Sequence, residues 1–224
     1  MQIIWHGQSC FEIIITKGKG EYITVLIDPL DEDKSGLKIS KADAQIVMTT
    51  NSSYTASTGE IKKVYPGAFA VTGPGEYEIR GIFVRGLDSN FGKSAEAIAA
   101  GGKQGSTIYT IEAEDMKLCH LGNLNQAELT QVQVEKIGNI DILMFPVGDG
   151  AKIGAKEALK MVSQVEPSVA IPMNYGIPKL KLDAGDLDEF LKVSGLGAVE
   201  PLPKLTIKKK EIGPEEAKIV VLTP

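Results

Sequence analysis

Strand-type runs fill the first half of this chain, and helical periodicity does not enter until Gln126. Gln2 to His6 is apolar, Phe11 to Thr16 is rich in isoleucine, and Tyr22 to Ile27 follows the turn signal Lys17-Gly18-Lys19-Gly20. Two β-type runs joined by glycines predict a hairpin. Ala44 to Thr49 and Ala68 to Thr72 read as further strands, and Glu60 to Val64 as a helical turn. After the sharp turn Gly73-Pro74-Gly75, Ile79 to Gly86 continues as strand. Thr107 to Glu112 and Met116 to His120 predict a second hairpin around Glu114-Asp115.

The pattern then changes. Leu129, Val132, Val134 and Ile137 fall at helical spacing within Gln126 to Ile137, with Gly138 as C-cap. Ile140 to Val147 is a continuous apolar strand, Lys156 to Val165 an amphipathic helix that stops before Pro167, and Ser168 to Pro172 a strand. Leu187 to Val193 reads as a short helix, and Leu205 to Lys210 and Ala217 to Leu222 as strands. A meander followed by alternation predicts sheets covered by helices. The 224 residues fit one domain spanning the whole length, 1–224. Phe91 to Gln104 carries Gly92, Gly101 and Gly102 and is expected to be a mobile loop with a short helix from Ser94 to Ala100.

The net charge of −5 supplies no field that would draw the chain to nucleic acid or an anionic membrane. Lys208-Lys209-Lys210 is followed at once by Glu211 and reads as a solvated strand face. No apolar run reaches membrane-spanning length. The start lacks the features of a secretory signal, so a cytoplasmic location is expected. Cys10 and Cys119 sit in apolar runs, where a buried reduced thiol is the default, although a disulfide stays open at this point.

Five phrases carry a family resemblance. They are Trp5-His6-Gly7-Gln8-Ser9-Cys10-Phe11, Leu26-Ile27-Asp28-Pro29, Gly73-Pro74-Gly75-Glu76-Tyr77, Cys119-His120-Leu121-Gly122-Asn123 and Ile171-Pro172-Met173-Asn174-Tyr175. In this order they resemble the metallo-β-lactamase superfamily, in the branch of lactonase-like and metal-dependent hydrolases. The resemblance implies an α+β fold: an αββα sandwich of two mixed sheets flanked by helices, with a metal cleft at one edge. It also implies zinc or another divalent metal, held by His-x-His-x-Asp-His after the strand Ala44 to Thr49. A metal there lowers the pKa of bound water and makes hydroxide at neutral pH.

This sequence departs from that pattern at nearly every ligand place. Thr50 and Ser52 stand at the first two histidine places, Tyr54 at the aspartate and Thr55 at the last histidine. His120 persists, but Asn123 replaces the following carboxylate. Asn174 replaces the last histidine, and Gln8 stands where many relatives carry one. Asp28 matches an aspartate that lies near the site in relatives, and here it is expected to bind turn amides. The chain has two histidines, His6 and His120, too few for a His-rich dinuclear site. Hydroxyls are poor donors to zinc beside imidazole or carboxylate.

Three functions compete. The first is a non-catalytic protein without a cofactor, binding a small polar ligand or a protein through the altered cleft. The second is a lactonase- or phosphoesterase-like metal-dependent hydrolase with an altered site. The third, a nuclease-like relative, is disfavoured by the acidic balance. Relatives in this branch often self-associate, so a homo-oligomer is also expected.

Overall fold

Alternate residues of the early strands point into different cores. In β2 (Phe11–Gly18), Phe11, Ile13 and Ile15 are buried in the main core. In β3 (Glu21–Ile27), Val25 and Ile27 join them, whereas Leu26 faces a second cluster. In β4 (Ile46–Met48), Ile46 and Met48 face the main core and Val47 the second. The two-residue period of a strand thus produces one sheet with two buried faces.

The computed structural model describes residues 1–18, 20–38, 43–50, 55–90, 105–124, 126–148, 153–213 and 217–224. The first sheet adds β1 (Gln2–Trp5), β5 (Phe69–Val71) and β12 (Leu205–Thr206), in the order β12-β1-β2-β3-β4-β5. β1, β2 and β3 run antiparallel, and β3, β4 and β5 parallel. The second sheet contains β6 (Gly75–Ile79), β7 (Ile82–Asp88), β8 (Thr107–Ala113), β9 (Met116–His120), β10 (Ile142–Pro146), β11 (Val169–Met173) and β13 (Lys218–Ile219). Its order is β13-β11-β10-β9-β8-β7-β6. β9, β10, β11 and β13 are parallel, and the rest antiparallel.

Helices cover the outer faces. On the first sheet lie α1 (Glu32–Ser35) and α2 (Thr58–Val64), where Ile61 and Tyr65 pack with Cys10, Leu26 and Val47. On the second lie α3 (Gln131–Ile137), α4 (Ala155–Val165) and α5 (Leu187–Val193). α4 packs on β10, α3 and α5, and Phe145 meets Phe190 edge to face at 5.4 Å. β10 is buried along its whole length, as a central strand between helices and a second sheet must be. The result is the αββα sandwich. No helix among the described residues is long and apolar enough to cross a membrane.

Several boundaries correct the sequence reading. Ile79 to Gly86 is not one strand: Arg80 (φ 54°) and Gly81 (φ 73°) turn the chain between β6 and β7. α3 begins at Gln131 and not Gln126, because Thr130 and Gln133 form a capping box there. The strand predicted over Leu205 to Lys210 stops at Thr206 and becomes a 3₁₀ turn over Lys209–Glu211, in which Glu211 accepts the Lys208 N–H. The lysine run is therefore no strand face, and Lys209 pairs with Asp141 at 2.8 Å. The short α1 has no apolar periodicity to announce it and is held by Asp31 as N-cap. Cys10 and Cys119 are free and buried. The loop and helix expected between Phe91 and Gln104 lie outside the described residues.

Candidate functional site

Asp28 ends β3, and its backbone takes a left-handed conformation (φ 48°) that is unusual for a residue with a side chain. It is completely buried. One carboxylate oxygen accepts the Thr50 N–H at 2.7 Å. The other accepts the hydroxyls of Ser9 at 2.6 Å and Thr50 at 2.5 Å. A buried carboxylate requires such donors, because its transfer from water is otherwise very unfavourable.

Ser9 lies in the turn after β1. Gly7 there has φ 101°, a backbone that residues with a side chain rarely adopt, and a Cβ would come within 2.6 Å of Leu37 Cδ1. Gln8 follows with φ 50°. The Trp5 indole N–H donates to the Gln8 carbonyl at 2.7 Å, and the Gln8 amide donates to the Tyr175 carbonyl at 3.3 Å.

His120 ends β9 and is also completely buried. Its Nδ1 accepts the Gly122 N–H at 3.1 Å, which leaves the proton on Nε2. That nitrogen donates to the Ser9 carbonyl at 2.9 Å. Burial pushes the imidazole below its ordinary pKa of 6.5, and the nearby Asp28 charge opposes the shift without cancelling it. His120 is therefore a neutral ring with both nitrogens engaged. The Phe11 ring stands edge-on to it at 5.6 Å.

The second sheet contributes three more donors. Ser106 Oγ donates to the Thr50 carbonyl at 2.9 Å, as does the Thr107 N–H at 3.1 Å. Tyr109 OH donates to the Thr49 carbonyl at 2.9 Å. Ser106 Oγ also accepts the Asn123 N–H at 3.1 Å. The Asn174 amide reaches Asn123 Oδ1 at 3.5 Å, from a backbone at φ 57°.

Gln8, Asp28, Thr50, His120, Asn123 and Asn174 thus share one edge of the sandwich. Thr55 is buried and forms an isolated bridge with Leu30, two residues beyond Asp28. Ser52 and Tyr54 lie outside the described residues. Sequence reasoning left Ser9 and Ser106 unassigned. Ser9 lay inside a quoted phrase beside Gln8, whereas nothing in the spacing marks Ser106.

This donor set does not fit a catalytic zinc centre. Such a centre takes several imidazole, thiolate or carboxylate ligands. Among the described residues, no group of three His, Cys, Asp or Glu stands close enough together to hold a metal ion. His6 is engaged elsewhere, 3.0 Å from Glu12, and apart from Asp28 and His120 the candidate groups among the described residues are neutral hydroxyls and amides.

The comparisons agree with the fold. The family model described as a β-lactamase superfamily domain matches residues 2–174. The chain therefore belongs to the metallo-β-lactamase superfamily. A UPF0173 metal-dependent hydrolase from Methanopyrus kandleri is 27% identical over 227 residues, covering 88% of this chain and 94% of that one. Another from Staphylothermus marinus is 29% identical over 211 residues, covering 84% and 88%. A solved structure from Thermotoga maritima, named as a Zn-dependent hydrolase of the metallo-β-lactamase superfamily, superposes with a TM-score of 0.74. It is 28% identical and covers 99% of this chain and 97% of that one.

Proposed function

We propose that this chain is a metal-free, non-catalytic member of its superfamily whose cleft binds a small polar ligand. The observation that carries the reading is that the two buried ionisable groups at this edge are already engaged in hydrogen bonds. Asp28 already accepts three donors, and both His120 nitrogens are bonded. A hydrolytic zinc needs open lone pairs on several such groups. Among Gln8, Thr50, Asn123 and Asn174, the neutral amide of Asn123, the partly exposed member of this set, instead suits a ligand recognised by hydrogen bonds.

A second reading is supported by the relatives, whose names describe metal-dependent hydrolases matched along most of both chains. In it the chain is a lactonase- or phosphoesterase-like hydrolase with an altered metal site. Elemental analysis decides between them, on protein expressed with zinc, iron and manganese and then assayed on lactones and phosphodiesters. The first reading expects less than about a tenth of an equivalent of any metal and no turnover. Stoichiometric metal with turnover establishes the second.

A further inference from the structure

We infer that Ser9, Asp28 and Thr50 form a metal-independent staple that closes the sandwich at the cleft edge. This inference rests on the metal-free reading of the cleft. In the site that the family resemblance implies, a metal would draw ligands from loops of both sheets and so tie them together. Here the tie is made by hydrogen bonds, and Asp28 is its centre.

The connections run in two stages. Within the first sheet, Asp28 fixes the turn after β1 through Ser9 Oγ and the segment after β4 through the Thr50 amide and hydroxyl. The carbonyls of those same two residues then face the second sheet. Ser9 O accepts from His120 Nε2. Thr50 O accepts from Ser106 Oγ and the Thr107 N–H. Thr49 O, one residue earlier, accepts from Tyr109 OH. Four bonds from the second sheet thus end on carbonyls presented by two loops, both anchored on one carboxylate. Asp28, His120, Thr50 and Tyr109 are all buried, where satisfied hydrogen bonds hold geometry strongly and unsatisfied groups are costly.

The Asp28 carboxylate thus has a use that does not require a cation. The staple also accounts for the backbone at Asp28: a left-handed residue persists only where its surroundings over-determine it.

Thermal unfolding of the full chain tests the inference. The wild-type midpoint should be the same as purified, after EDTA, and with zinc added. Ser9→Ala and Thr50→Val should each lower Tm by about 3–10 °C. Their double variant should depart from the sum, because both hydroxyls share one carboxylate oxygen. Thr50→Ser should keep most of the wild-type Tm. Ser163→Ala, which removes an exposed hydroxyl bonded to Leu159 O, should stay within about 2 °C. If Ser9→Ala and Thr50→Val both match Ser163→Ala while EDTA is inert, the staple is wrong and the metal-free reading survives. If EDTA removes a stoichiometric metal and lowers Tm, the metal-free reading falls and the staple with it.

Discussion

His120 crosses from the second sheet to the first to donate its Nε2 proton to the Ser9 carbonyl at 2.9 Å. The other ring nitrogen accepts from Gly122, so the neutral Nε2–H tautomer alone satisfies both contacts. Protonation would place a second N–H against the Gly122 amide, inside a site that burial already makes unfavourable for charge.

This fixes a sign for the pH dependence. The folded pKa of His120 lies below the unfolded value of 6.5. Between the two, the unfolded chain binds more protons, so stability rises with pH across that window. The contribution is complete above the unfolded value and is lost as pH falls toward the folded one. Urea unfolding at pH 7.5 and pH 5 should show a weaker fold at pH 5, and His120→Gln should flatten the difference. An unchanged slope in the variant would locate the pH dependence elsewhere. Ring ¹⁵N shifts should report the Nε2–H tautomer at pH 7.

Gly122 and Gly138 share φ 66° but not their surroundings. A Cβ on Gly122 would meet Ser106 Oγ at 2.6 Å, Thr107 O at 2.9 Å and Thr50 Cβ at 3.0 Å, whereas one on Gly138 meets nothing within 4 Å. Gly138→Ala meets no neighbour but must hold φ 66°, ψ −159°, a backbone region nearly reserved for glycine, and should lose about 1–3 kcal/mol from that strain alone. Gly122→Ala adds a clash with the cleft wall and should lose about 3 kcal/mol or more. Equal losses in denaturant unfolding would mean that the contact around Gly122 relaxes freely.

The sandwich was legible because its strands obey simple periods. Val25, Leu26 and Ile27 alternate between two cores, and β10 is apolar throughout because it has no solvent face. The start of α3 was misplaced because the apolar spacing from Leu129 onward does not reveal a cap; Thr130 and Gln133 do. The departures of Thr50, Asn123 and Asn174 from the family pattern were visible in the residues themselves. The part played by Ser9 and Ser106 was not. A serine bonded to a carboxylate 19 positions away, or to a carbonyl 56 away, leaves no local trace in a sequence.

Both thiols should be unreactive in the folded chain. Burial raises the pKa of Cys10, with the Asp28 charge adding to the effect, and burial likewise raises that of Cys119. The two also lie in different clusters: Cys10 outside the first sheet, and Cys119 on the face of β9 opposite His120, turned away from the first sheet. A thiol reagent at pH 8 should label neither residue on the minute scale and both in denaturant, with no mass change on prior reduction. Rapid native labelling of Cys10 would show that the packing under α2 opens readily.

Gln133 connects α3 to the cleft through buried bonds. Its amide N–H donates to the Ser89 carbonyl at 2.7 Å, and its side-chain oxygen accepts the Thr130 N–H at 2.8 Å. The Ser89 N–H in turn donates to the Ser106 carbonyl at 2.8 Å, and Ser106 Oγ bonds Thr50 O. Thr130→Ala removes only the helix cap and should lose about 1 kcal/mol. Gln133→Ala also leaves the Ser89 carbonyl without this donor, and should lose about 2–4 kcal/mol. Amide exchange separates the two effects. In Gln133→Ala, exchange at Ser89 and Thr107 should quicken, because the segment supporting Ser106 is loosened. In Thr130→Ala it should stay close to wild type. Equal exchange in both variants would confine Gln133 to the helix end and detach it from the cleft.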